Sequence, residues 1–128
     1  MPKKAINPDG LFKANFYSQG VRAGNTVFIA GQVGAVAAGT VAGGGNDFKA
    51  EAKQAMENIR KVVETAGGKM SDVVRLTCFM TDMGLGKDLY PAIEAAFPGV
   101  KPAVTAIVVK SLGSLTYKVE IEGTAVIE

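Results

Sequence analysis

The chain has 128 residues, 48% of them hydrophobic and 20% charged, which suits one packed globular domain, is too short for two of ordinary size, and lies far from the composition of disordered chains. The net charge is +2 with Lys and Arg scattered along the chain, so no basic surface for nucleic acid is expected. Histidine is absent and Cys78 is the single cysteine, which excludes His-based triads, His general bases, His-containing zinc sites and an internal disulfide.

No run of ~18 apolar residues suggests a membrane span, and Lys3-Lys4 is not followed by an apolar signal segment. A lone thiol fits a reducing compartment, so a cytoplasmic setting is expected. Residues 1–15 read as a loose entry with a turn at Asn7-Pro8-Asp9-Gly10. Phe16 to Arg22 reads as a strand, Ala23-Gly24-Asn25 as a tight turn, and Thr26 to Ala30 as the return strand of a hairpin. Gly31-Gln32 then mark a bend or a close backbone approach.

Val33 to Gly45 is almost entirely Gly, Ala, Val and Thr, and is read as a second short hairpin tipped by Gly43-Gly44-Gly45. A phosphate-binding loop is the alternative, but the Lys-Ser/Thr of a P-loop is missing. Asn46 or Asp47 can cap the next segment, where Phe48, Ala52, Ala55, Met56, Ile59, Val62, Val63 and Ala66 recur at helical spacing until Gly67-Gly68. Lys49, Lys53, Glu57, Arg60, Lys61 and Glu64 occupy the other face, where i,i+4 pairs mark a solvated surface.

Val73 to Thr81 reads as a strand with Val74, Leu76, Cys78 and Met80 on its apolar face, so Cys78 is read as a buried small hydrophobe rather than a nucleophile. Asp88 to Phe97 reads as a shorter helix with Leu89, Ala92, Ile93, Ala96 and Phe97 inward and Pro91 in its first turn. Tyr90, near its start, is either a packing tyrosine or a pocket lid. After the Pro98-Gly99 turn, Ala103 to Val109 reads as a strand with both faces apolar enough to be covered. The closing strand, Tyr117 to Val126, places Glu120 and Glu122 on one face, about 7 Å apart at ~3.3 Å rise per residue. The expected fold is α+β: a mixed sheet with two helices on one face, the other face covered by further copies of the chain.

Tyr17-Ser18-Gln19-Gly20, Val27-Phe28-Ile29-Ala30-Gly31-Gln32, Asp72-Val73-Val74-Arg75 and Val119-Glu120-Ile121-Glu122-Gly123 resemble the RidA/YjgF reactive-imine deaminase family, over nearly the whole chain. The resemblance implies one domain over residues 1–128, a chorismate-mutase-like fold and a homotrimer with ligand clefts between subunits. It also implies hydrolysis of 2-imino acids such as 2-iminopropanoate without metal or cofactor. In such a site an arginine pairs the substrate carboxylate and a glutamate activates water.

Carried over residue by residue, the resemblance makes Tyr17 and Glu120 the catalytic candidates, with Gly31 a backbone contact. The family's Pro-Ala-Arg-Ser-Cys/Thr-Val motif reads here Pro102-Ala103-Val104-Thr105-Ala106-Ile107. Val104 therefore stands in place of the arginine, Ala106 in place of the Cys/Thr, Tyr90 in place of a helix asparagine and Ala30 in place of a serine. Val104, Thr105, Ala106 and Tyr90 are then expected to line an apolar wall that cannot neutralise a carboxylate. The expected function is hydrolysis of a small imine, enamine or amide that is not a standard 2-imino acid. The alternatives are a ligand-binding trimer without turnover, a conventional 2-iminobutanoate/2-iminopropanoate deaminase, and, ranked last, a ribonuclease.

Overall fold

The computed structural model describes residues 2–128. Strands β1 (Lys3–Ile6), β2 (Gly20–Ala23), β3 (Thr26–Val33), β4 (Val73–Met80), β5 (Ala103–Val108) and β6 (Val119–Val126) form one sheet, in the order β1-β2-β3-β6-β4-β5. Helix α1 (Phe48–Thr65) connects β3 to β4, and α2 (Gly86–Ala96) connects β4 to β5. The β4–β5 pair is parallel and the other pairs are antiparallel. This is the expected α+β class. The last strand, β6, inserts between β3 and β4, so Glu120 lies near the middle of the sheet.

The hairpin turn is tight because Ala23 pairs with Thr26, leaving Gly24-Asn25 as its tip, with Gly24 at φ 61°. Asp47 caps α1 by accepting from the Ala50 amide at 3.2 Å. The apolar stripe of α1 packs on β3, β6 and α2, and Ile59, Val62 and Val63 are fully buried beside Leu76, Leu89 and Ile121. On the solvent side Arg60 reaches Glu64 at 3.8 Å, as the i,i+4 spacing predicts, while Glu57 pairs with Arg60 at 3.2 Å rather than with Lys61 four residues on.

The structure corrects five local expectations. The entry segment is not loose, because Lys3–Ile6 pairs with β2 and buries Ile6 opposite Gly20; one inward side chain is too short a pattern to show in a sequence. The strand expected from Phe16 begins only at Gly20, since the Gln19 amide donates to the Asn7 side chain instead of a ladder partner. The glycine-rich hairpin reduces to one bridge, Ala35 to Val41, followed by a 3-10 turn in which Gly43 and Gly44 hold positive φ.

In β4 a bulge between Val73 and Arg75 shifts the alternation. Val73 thereby takes the buried place expected of Val74, which is exposed. Finally, Pro91 lies beyond the first turn of α2, because Asp82 caps a preceding 3-10 turn through the Gly84 amide and helical winding starts at Gly86.

Candidate functional site

A second bulge builds the site. Between Ile29 and Gln32 the β3–β6 register slips by one residue, leaving Ala30-Gly31 facing Glu122 alone. Gln32 then turns inward opposite Ile121, while Val33 faces Glu120. The bulge is held by amides: Gln32 Nε2 donates to Gln19 Oε1 at 2.8 Å and to the Ala30 carbonyl at 3.1 Å. Gln19 Nε2 donates in turn to the Phe12 carbonyl at 2.6 Å. Gly31 leaves the space that the Glu120 carboxylate occupies, since a Cβ there would overlap it and push it aside.

Glu120 is half-buried, and its pKa is raised above the ordinary carboxylate range, first by burial and second by the neighbouring Glu122. It lines a cavity of about 560 Å³ with Tyr17, Gly31, Gln19, Asn58 and Tyr117. Tyr17 sits in the loop before β2 and packs edge-on against Phe16, ring centres 5.1 Å apart. Among the described residues, no Lys or Arg lines this cavity. Among the described residues, no cluster of three or more His, Cys, Asp or Glu gathers to hold a metal.

The remaining site candidates lie elsewhere. Val104, Ala106 and Tyr90 line a separate cavity of about 550 Å³ with Ile93, Phe97 and Pro102. The pairings explain the separation. Val104 and Ala106 are register partners of Leu76 and Cys78, which face the helices, and Cys78 lies opposite Ile121. Glu120 points to the opposite side of the sheet, where its register partner is Phe79 and the partner of Phe79 is Ile107. Thr105 shares that side but lines neither cavity. Within one chain, then, Glu120 and Val104 do not share a cleft.

Strand β5 is also less covered than its apolar pattern predicts. It forms the sheet edge, and Val104, Ile107 and Val108 are 39%, 41% and 44% exposed. Cys78 is buried and its thiol is pushed up to about 11 by burial, which keeps it protonated and inert. Two buried polar residues on α1 were missed: Asn58, which lines the Glu120 cavity, and Glu51, which does not line it but accepts from the Lys118 and Val119 amides. Both fall on the apolar stripe of the helix, three residues beyond Phe48 and Ala55 respectively, and that placement is the signal that can reveal them.

The family model described as endoribonuclease L-PSP matches residues 9–127. The chain belongs to this family, which includes the RidA/YjgF proteins. A 2-iminobutanoate/2-iminopropanoate deaminase of Dermatophagoides farinae is 36% identical over 113 residues, 88% of this chain and 86% of that protein. Among solved structures, RidA from the Antarctic bacterium Psychrobacter sp. matches with TM-score 0.89 at 35% identity, over 97% of this chain and 99% of that one. The YjgF gene product of E. coli matches with TM-score 0.89 at 32% identity, over 98% and 99%. The mixed sheet with two helices is thus the RidA/YjgF fold. Among the described residues, no helix is long and apolar enough to cross a membrane.

Proposed function

We propose that this RidA/YjgF protein hydrolyses a small imine, enamine or related amide that carries no carboxylate at the reacting carbon, in clefts formed between the subunits of a homotrimer. The observation that carries the reading is the division of the candidate residues into two half-sites on opposite sides of the sheet, one polar around Glu120 and one apolar around Val104. Each is open on its own. The exposed, apolar β5 edge supports an interface at which the apolar half of one subunit closes over the polar half of the next.

In this reading Glu120 accepts a proton from a water held near Gly31 as the water oxygen bonds to the imine carbon. Protonation of the nitrogen then allows the C–N bond to break, releasing ammonia or an amine and leaving a carbonyl. A base with a raised pKa is well matched to such work near neutral pH. Tyr17 orients the water or the leaving nitrogen. No cofactor or metal is invoked, because Glu120 and water supply the whole proton inventory. Val104, Ala106 and Tyr90 receive an uncharged substituent, since an isopropyl group offers a carboxylate no compensation for its lost hydration.

Ammonia release is measured with 2-iminopropanoate generated in situ and with a panel of uncharged imines, for the native protein, Val104→Arg and Glu120→Gln. The native protein is expected to be active only on uncharged imines, Val104→Arg to gain turnover of 2-iminopropanoate, and Glu120→Gln to be inactive. Full native turnover of 2-iminopropanoate would overturn the substrate assignment in favour of a conventional deaminase like the Dermatophagoides relative. Indifference of every substrate to Glu120→Gln would favour a binding protein. Light-scattering mass tests the trimer, and a monomer at micromolar concentration refutes it.

A further inference from the structure

Glu51 is a carboxylate with 0% exposure in the middle of an apolar helix face. Its Oε2 accepts from the amides of Lys118 at 2.7 Å and Val119 at 3.2 Å, 67 and 68 residues along the chain. Its Oε1 is buried without a partner among the described residues, and no cation pairs with it. Burying an unpaired carboxylate is costly, and the two amides it satisfies are its compensation. Those amides lie where β6 begins.

The approach to β6 is irregular from Ser111 to Lys118, and the regular ladder starts at Val119, opposite Met80. Two amides at that boundary are claimed by one carboxylate. Glu120 is the next residue. On the same face of α1, seven residues on, Asn58 Nδ2 donates to the carbonyls of Val33 at 2.9 Å and Ala35 at 2.8 Å. Val33 is the register partner of Glu120. Between them, Gly34 lies so close that a Cβ would overlap the Glu51 side chain and backbone. Helix α1 therefore grips the backbone on both flanks of Glu120, one flank through Glu51 and the other through Asn58.

We infer that Glu51 is a positioning residue for Glu120: by fixing the Lys118 and Val119 amides it sets the entry of β6 and so holds the Glu120 carboxylate against Gly31. Asn58 fixes the facing strand end in the same manner. The inference rests on the reading of Glu120 as the water-activating group, but its test requires no turnover. The ionisable groups that line the cavity with Glu120 are Tyr17 and Tyr117, the neighbouring charge that acts on it is Glu122, and Lys118 lies two residues before it at the entry of β6.

Glu51→Ala, Glu51→Gln, Glu51→Asp and, as a control, Val63→Ala are compared on the full chain by NMR. The readouts are amide exchange at Lys118 and Val119 and the titration of the Glu120 carboxyl. In Glu51→Ala both amides are expected to exchange about tenfold faster or more beyond any global change. The Glu120 midpoint is expected to fall towards the ordinary carboxylate value as the group swings into water. Glu51→Gln keeps an acceptor oxygen and is expected to preserve both readouts, while Val63→Ala lowers stability without moving the Glu120 titration.

If Glu51→Ala does not fold, Glu51→Asp decides, since its shorter carboxylate retracts from the amides and is expected to shift Glu120 in the same direction. An unmoved Glu120 titration in the Ala or Asp variant that folds, or an equal shift in the Val63→Ala control, overturns the inference. Full hydrolysis retained by Glu51→Ala with these readouts as expected would instead count against the reaction assigned to Glu120 alone.

Discussion

The cavity at Glu120 and the cavity at Val104 are nearly equal in size, about 560 and 550 Å³, but are built in opposite ways. The first is shaped by hydrogen bonds: a bulge held by Gln19 and Gln32, and strand ends held by Glu51 and Asn58. The second is shaped by packing: Ile93, Phe97, Pro102, Val104 and Ala106 form its walls, and the charges among its described lining residues, Glu94 and Lys101, are of opposite sign. Hydrogen bonds fix direction, as a proton-transferring group needs, whereas apolar contacts fix volume, as an uncharged substituent needs. The polar cavity is thus suited to chemistry and the apolar one to selection.

The largest expected effect comes from loosening the apolar half. Leu89 is fully buried on α2 next to Tyr90, and Leu89→Ala is expected to cost about 2–5 kcal/mol in denaturant unfolding, with the Glu120 titration unchanged. A cost below 1 kcal/mol would deny α2 its anchoring role. Next comes the polar half: Gly31→Ala places a methyl group on the Glu120 carboxylate, and activity on uncharged imines is expected to drop about 100-fold while the fold survives. Circular dichroism and the ammonia assay check both halves of that statement; unchanged activity would remove Gly31 from the site.

A smaller effect separates the two causes acting on Glu120. Its raised pKa means that the group favours the fold most below the unfolded carboxylate value, and that this contribution is lost as pH rises through the folded value. Burial is the larger cause and Glu122 the second. In Glu122→Gln the acidic limb of the pH–rate profile is therefore expected to move to lower pH and the stability loss on raising pH to shrink; an unmoved limb would leave burial as the sole cause. The smallest effect lies outside both cavities, where Asp47→Ala removes the α1 cap and is expected to cost about 1 kcal/mol in thermal unfolding, with activity preserved.

Much of the fold was legible because its signals are local. The stripe on α1, its Asp47 cap, the Gly24-Asn25 turn and the alternation of β6 all arise between residues close in sequence. Strand β1 was not, since a single buried Ile6 makes no period, and neither was the exchange of Val73 for Val74, since a bulge leaves no mark in composition. In the site, Tyr17, Gly31 and Glu120 were identified as candidates and the structure brings them to one cavity. Glu51 was passed over because a charged residue on a helix is normally solvated, and only the two distant amides explain its burial.

Sequence alone determined the fold class, the family, the absence of histidine chemistry and the apolar character of the Pro102–Ile107 segment, because each depends on residue identity or short-range period. Only the tertiary structure decided that Glu120 and Val104 lie on opposite sides of the sheet. The side of the sheet that a strand residue faces depends on the register of its strand against its neighbours, and here a one-residue bulge in β3 and a parallel crossover through α2 set those registers.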